Sequence, residues 1–271
     1  MKILIANQKG GAGKSTLCIL FANYLAIEKK EEVLILDMDF QASVHEKWET
    51  DWEVYRSNIR AQVYNEIVNA VGVSDDLPSS PKSKLTDEYL GQLIDKHKTE
   101  FSDLEGYKPL LDGETLDETR LYQVLKQDME DYPAIKPYLE KYEDGHVIID
   151  LPGKMDDDNL VGVYQDADVI IVPTGYDQMT NVATLTFAQV VNAINPNAKV
   201  VFIPNRIKPG VKYELKADVH KYLKSFGLIT EEVKDSVMFQ RINTYSISKE
   251  ILDNIQPVFE QIYTKYLGAD K

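Results

Sequence analysis

The sequence predicts an α/β fold: a mainly parallel, twisted sheet flanked by helices, with a helical insertion between its second and third strands. Three observations carry this. Short apolar runs without polar alternation recur along the chain, as strands buried on both faces require. Stretches with apolar residues at helical spacing separate them. An acidic segment from Asp51 to Asp144 interrupts the rhythm.

The elements follow in chain order. Lys2 to Ala6 is a short apolar run ending in a glycine-rich turn. After it, Leu17, Leu20, Phe21, Tyr24 and Leu25 recur at i, i+3, i+4, i+7 and i+8, which places them on one helix face. Val33 to Leu36 is a second apolar run, closed by Asp37, and completes a βαβ unit. Three more runs, His146–Ile149, Val169–Val172 and Val200–Ile203, are joined by helical patterns, the clearest being Gln178 to Ile194. Such alternation calls for a parallel sheet covered on both sides. Within the insertion, Ile59–Val71, Leu85–Phe101 and Leu116–Met129 are amphipathic and no buried strand is evident. A turn at Pro78–Pro81 and breaks at Pro133 and Pro137 divide it. Ile251 to Leu267 reads as a last helix, bent near Pro257. The whole of residues 1–271 is expected to form a single domain, with residues 51–144 inserted in it.

Composition narrows the function classes. No apolar run approaches the roughly 20 residues that span a bilayer, and the N-terminus is too abruptly polar for a secretory signal. Cys18 is the single cysteine, so disulfide frameworks and Cys-rich metal sites within one chain are excluded. A cytoplasmic location follows as the expectation. The formal charge of −14 argues against nucleic acid as a partner. It is unevenly spread, however. Residues 51–145 hold 21 acidic against 11 basic side chains, whereas residues 206–271 hold 11 basic against 9 acidic, so the last quarter is mildly positive.

The sharpest motif is Gln8-Lys9-Gly10-Gly11-Ala12-Gly13-Lys14-Ser15-Thr16. Glycines let successive backbone N–H groups turn inward around phosphate oxygens. The following helix N-terminus adds partial positive charge. In this pattern Lys14 neutralises the β- and γ-phosphates and the Ser15 hydroxyl ligates Mg²⁺. A ligand-free glycine turn is the alternative, which the strand before and helix after disfavour.

Where the general loop carries a glycine, this chain has Gln8, and a second lysine, Lys9, opens the loop. This resembles the deviant Walker A motif of the ParA family of partition ATPases, within the P-loop NTPase fold. The resemblance implies that Lys9 reaches the nucleotide of a second subunit, and hence an ATP-bound homodimer. It extends to Asp37-Met38-Asp39-Phe40-Gln41, similar to the family's first switch. There Asp39 would act on the attacking water, Asp37 would support the metal shell and Gln41 would belong to the moving segment. The alternative for either aspartate is a helix cap or turn. Ile148-Ile149-Asp150-Leu151-Pro152-Gly153 has the apolar-then-acidic form of a Walker B strand, with Asp150 holding Mg²⁺ through water and Pro-Gly as the second switch. Leu151 departs from the family's usual threonine. By the same resemblance Asn205, at the end of a strand, would bond adenine, with a turn asparagine as the alternative.

The resemblance thus implies catalytic roles for Lys9, Lys14 and Asp39. Nucleotide contacts would come from Gly10, Gly11, Ala12, Gly13, Lys14, Ser15, Thr16 and Asn205, and metal contacts from Ser15, Asp37 and Asp150, with ATP and Mg²⁺ as cofactors. It further implies a ParB-like activating partner, non-specific DNA binding in the ATP state and association with the nucleoid. Candidate DNA contacts are Lys208, Lys212, Lys216 and Arg241; the three lysines are four apart and share one face if a helix starts early enough. A solvated helix face is the alternative. The end of the chain is poor in the basic amphipathic character of a MinD-type membrane helix, and the cysteine count excludes a nitrogenase iron protein. Two rival functions stand beside partition: positioning a protein complex without DNA, and small-molecule chemistry resembling dethiobiotin synthetase.

Overall fold

The seven strands of the central sheet are β1 (Lys2–Ile5), β2 (Glu32–Asp37), β3 (Gln123–Lys126), β4 (Gly145–Asp150), β5 (Val169–Thr174), β6 (Lys199–Pro204) and β7 (Gly227–Ile229). They lie in the order β3-β2-β4-β1-β5-β6-β7, every neighbouring pair parallel. The computed structural model describes residues 1–72, 85–112, 119–142, 145–153 and 158–268. These residues fall into two compact units, Met1–Trp48 with Leu121–Lys271, and Glu49–Arg120.

In the first unit the sheet is buried on both faces, and the period of two is visible in which core each side chain joins. Ile3 and Ile5 point to one side with Ile35, Ile148 and Ile171; Leu4 points to the other with Leu36, Ile149 and Ile170. The first side is covered by α1 (Lys14–Asn23), which runs on as a π-helical segment through Lys29, and by the C-terminal helix. Further α-helices among the described residues are α2 (Ser43–Val71), α3 (Asp87–His97), α4 (Tyr132–Leu139), α5 (Asn159–Gln165), α6 (Gln178–Ile194), α7 (Lys216–Leu223) and α8 (Lys249–Ile262). The second face of the sheet is covered by α5 and α6 through Val163, Tyr164, Phe187 and Val191. β1 is central, so the loop leaving its C-terminal end opens between β4 and β5, the position at which open α/β sheets bind ligands.

The second unit is helical. α3 starts at Thr86, whose hydroxyl accepts the Tyr89 N–H at 3.1 Å. Val63 and Ile67 of α2 pack with Leu90, Leu93 and Ile94 of α3. Arg60 donates to both oxygens of Asp87 at 2.8 Å and Arg56 adds a bond of 2.9 Å. The Arg60 hydrogen bond holds the Asp87 carboxyl below the usual carboxylate range, against a smaller opposing effect of burial.

Several expectations change. Residues 123–126 form an edge strand beside β2, with Leu34↔Gln123 to Asp37↔Lys126 in register, so the insertion holds a strand where a helix over 116–129 was expected. Only Val124 of that strand is buried, which is why no continuous apolar run marks it. β7 is equally short and half-buried. Pro133 and Pro137 lie inside α4 rather than breaking it; Pro133 occupies the first turn, where its missing N–H costs nothing. The last helix is where the sequence puts it: α8 contains Pro257 and its helical path continues through Leu267. The turn at Pro78–Pro81 lies outside the described residues.

Phe259 of α8 is fully buried, with its ring 4.9 Å from that of Phe21 and 5.6 Å from that of Tyr24. Phe259→Ala is expected to lower the unfolding free energy by about 3–5 kcal/mol, read from urea denaturation.

Candidate functional site

A cavity of about 910 Å³ opens at the C-terminal ends of the central strands. It is lined by Gly10, Gly11, Gly13, Lys14, Ser15 and Thr16, with Asp39 and Gln41 from the loop after β2, and Pro152 and Gly153 from the loop after β4. The phosphate loop, the segment after β2 and the segment after β4, up to 143 residues apart, therefore meet at one opening. The loop Gly10–Gly13 turns tightly enough to put Gly11 at φ 73° and Gly13 at φ 87°, both left-handed. Gly13 is also the residue immediately before α1, and a Cβ there would lie 2.5 Å from the Asn205 amide nitrogen. Backbone sign and lack of space each demand glycine. Lys14 is buried at the first position of α1 with its ammonium close to Gly153.

Asp150, at the end of β4, is fully buried. One carboxylate oxygen accepts the Ser15 hydroxyl at 2.6 Å, and Ser43 in turn donates to Ser15 at 3.1 Å. The other oxygen, Oδ1, is buried with no hydrogen-bond partner. Burial, with the Asp37 charge adding to it and the Ser15 bond opposing, pushes the Asp150 carboxyl up to about 7. A buried carboxylate with a free oxygen beside a serine hydroxyl and an anion-binding loop suits a hard cation such as Mg²⁺. Among the described residues no group of three or more His, Cys, Asp and Glu side chains could hold a metal unaided. Ser15 and Asp150 would hold Mg²⁺ together with the oxygens of a bound phosphate.

Asp37, for which the resemblance implied support of the metal shell, is surrounded by backbone donors. Its Oδ2 accepts the N–H groups of Val44 and His45, both at 2.9 Å, and its Oδ1 that of Asp39 at 3.2 Å. Both oxygens are used to cap α2 and fix the turn before it, the cap reading left open by the sequence. Burial pushes the Asp37 carboxyl above the usual carboxylate range, and these three bonds offset part of the effect. Asp39 instead lines the cavity, and its Oδ1 accepts the Gln41 N–H at 3.0 Å. Phe40 between them is 92% exposed.

Lys9 lies at the rim. Its ammonium bonds the Thr180 hydroxyl and pairs with Asp177 at 3.4 Å, both at the start of α6. Burial works against ionisation of Asp177, but the Thr180 bonds and the Lys9 charge hold its carboxyl below the ordinary range. Asn205 carries its amide beneath the loop, donating to the Ala12 carbonyl at 2.9 Å. Arg206 donates to the Gly11 carbonyl at 2.7 Å. The sequence reading placed Arg206 only among the basic residues of the tail; its position next to Asn205, at a strand end facing the loop, was the available signal.

The expected basic stripe is not one helix face. The Pro209-Gly210 turn keeps Lys208 and Lys212 in a loop, and α7 begins at Lys216. The Lys216 ammonium is engaged by Glu232 at 2.5 Å and lies over the Tyr176 ring, 5.6 Å from its centre. Arg241 is exposed and borders a separate cavity of about 170 Å³ with Leu20 and Ile251. Among the described residues no helix is long and apolar enough to cross a membrane.

Comparison with known proteins agrees with this geometry. The model of the family described as the CobQ/CobB/MinD/ParA nucleotide binding domain matches residues 3–245. No curated protein matches the chain. Similar solved structures include a protein assigned to plasmid partition from Borrelia burgdorferi B31, bound to AMPPNP, at 20% identity and TM-score 0.57, covering 97% of this chain and 98% of that one. An ATP complex of a McdA variant from Cyanothece is 15% identical with TM-score 0.54, covering 100% and 97%. The septum site-determining protein MinD from Pyrococcus horikoshii OT3, complexed with Mg-ADP, is 14% identical with TM-score 0.56, covering 99% and 97%. At these identities the likeness concerns the fold.

Two outcomes follow. Gly13→Ala is expected to abolish nucleotide binding, measured by calorimetric titration, because the new methyl displaces Asn205 and forces a left-handed alanine. For Asp150 the folded-state value lies above the unfolded 3.8, so protonation stabilises the fold. That contribution is complete below about 4 and is lost as pH rises through about 7. The melting temperature of the nucleotide-free protein is therefore expected to fall between pH 5 and 8 by more than that of Asp150→Asn.

Proposed function

Since the chain belongs to the CobQ/CobB/MinD/ParA nucleotide-binding family, we propose that it is a Mg²⁺-dependent ATPase of the ParA type that dimerises when ATP is bound. The observation that carries this reading is the state of Lys9. It stands at the mouth of the phosphate loop, 43% exposed, its ammonium held by Asp177 and Thr180 at the tip of α6. Beside them Met179 is 81% exposed and Val182 61% exposed. Apolar side chains around a lysine at a ligand mouth suit a face that a second copy covers. In that dimer the partner subunit's Lys9 would leave its own Asp177 for the γ-phosphate. Lys14 and the loop N–H groups would hold the phosphates of the same subunit. Asp39 would orient the attacking water, and Mg²⁺, when bound, would neutralise charge building on the phosphate oxygens.

ATP-gated, sequence-independent DNA binding through Lys208, Lys212 and Arg241, with a ParB-like partner stimulating slow hydrolysis, completes the partition reading. A second reading has its own support: the charge of −14 and the pairing of Lys216 with Glu232 both weaken a phosphate-binding surface. In that reading the same ATPase cycle positions a protein complex instead.

Sedimentation velocity with Mg-ATP and Mg-ADP tests the dimer. The mass should double with ATP alone, and Lys14→Ala and Met179→Asp should stay monomeric. Lys9→Ala should retain nucleotide binding while losing roughly a hundredfold or more in hydrolysis rate. A wild-type protein that hydrolyses ATP as a monomer contradicts the proposal. Retention of random duplex DNA with ATP, weakening steeply with salt and absent in Lys14→Ala, selects partition. An ATP dimer that leaves DNA unbound selects the protein-positioning reading.

A further inference from the structure

Arg206, which itself lines the cavity, and Asn205 hold two successive carbonyls of the phosphate loop. Arg206 Nη1 donates to the Gly11 carbonyl at 2.7 Å and Asn205 Nδ2 to the Ala12 carbonyl at 2.9 Å. Every described peptide bond is trans, so the N–H of each peptide points opposite to its C=O. Fixing the carbonyls of Gly11 and Ala12 toward these two side chains therefore turns the N–H groups of Ala12 and Gly13 away from them and toward a common side, as an anion nest requires.

The two residues are themselves built for this task. Asn205 anchors on β5, its N–H bonding the Thr174 carbonyl at 2.8 Å, and its side-chain oxygen accepts the Arg206 N–H at 3.0 Å. That orients the amide so that its nitrogen meets Ala12. Arg206 adopts φ 57°, a left-handed conformation that non-glycine residues avoid. The strained backbone coincides with a side chain that reaches back to the loop, the kind of site at which strain marks function.

We infer that Arg206 is a positioning residue, which with Asn205 sets the phosphate loop in its anion-binding conformation before any ligand arrives. This rests on the reading of the loop as a nucleotide site. It assigns both residues to the phosphate end of the ligand, acting through the loop, instead of to its base.

The experiment is calorimetric titration of full-length wild type, Arg206→Gly and Arg206→Lys with Mg-ATP, Mg-GTP and Mg-tripolyphosphate at several salt concentrations, alongside thermal melts. Arg206→Gly relieves the left-handed backbone, so its nucleotide-free melting temperature should equal or exceed that of wild type. Its affinity should nevertheless fall roughly tenfold or more, by the same factor for all three ligands. The salt dependence of binding should stay as in wild type, because the ligand loses no direct charge contact. Arg206→Lys, which retains a donor, should recover part of the loss. A loss confined to ATP would overturn the inference in favour of base contact. A flattened salt dependence would overturn it in favour of direct charge contact with phosphate, and unchanged affinity would overturn it outright. Failure of the wild type to bind any of the three ligands would instead contradict the nucleotide-site reading on which the inference rests.

Discussion

The structure depends on one crowded point, where Gly13 sits between the phosphate loop, the first turn of α1 and the amide of Asn205. A Cβ has no room there, and the backbone takes a sign that side chains resist. The consequence is that the end of β6 can press directly against the loop leaving β1, although two strand positions separate them in the sheet. The loop is thereby held open at the N-terminus of α1, where N–H groups have no intrahelical partners. Lys14 and Ser15 follow at the next two positions, so their placement derives from the same contact. Asp150 then reaches Ser15 from β4, because β4 runs beside β1 with Ile5 and Asp150 in register.

Charge is managed around this point by burial more than by pairing. Asp150 and Asp37 are both fully buried, and burial raises both. Their environments nevertheless separate their roles. Asp37 has three backbone N–H donors and serves as a cap, whereas Asp150 has one hydroxyl donor and a free oxygen. A cation arriving with a phosphate would satisfy that oxygen and remove the penalty of ionising it, which ties metal affinity to proton release. The rim differs. Lys9 and Asp177 are both substantially exposed, so their pair is weak and easily exchanged for another partner.

Much of this was legible in the residues. The apolar runs of β1, β2, β4, β5 and β6 announce themselves because both of their faces are covered, and α6 was delimited to its end residues by its spacing. The edge strands were not legible. β3 buries one side chain in four and β7 only partly buries its three, so pairing to a neighbour, a long-range property, defines them. The prolines of α4 misled because tolerance of proline depends on where a helix begins. At the site, residue types revealed the loop, Asp39 and Asp150. They left Asp37 open between a metal and a cap role and did not reveal that Arg206 grips Gly11, since both depend on where a side chain turns after its strand ends. The lysine stripe failed for a local reason, the turn at Pro209-Gly210.

Hydrogen–deuterium exchange of the full-length protein with and without Mg-ATP tests the central claim most directly, because it reads the backbone N–H groups that the loop is built to present. Binding as described here predicts protection concentrated in residues 10–16, with a second change at residues 150–153. Unchanged exchange in the loop at saturating Mg-ATP, or protection confined to other segments, would contradict it.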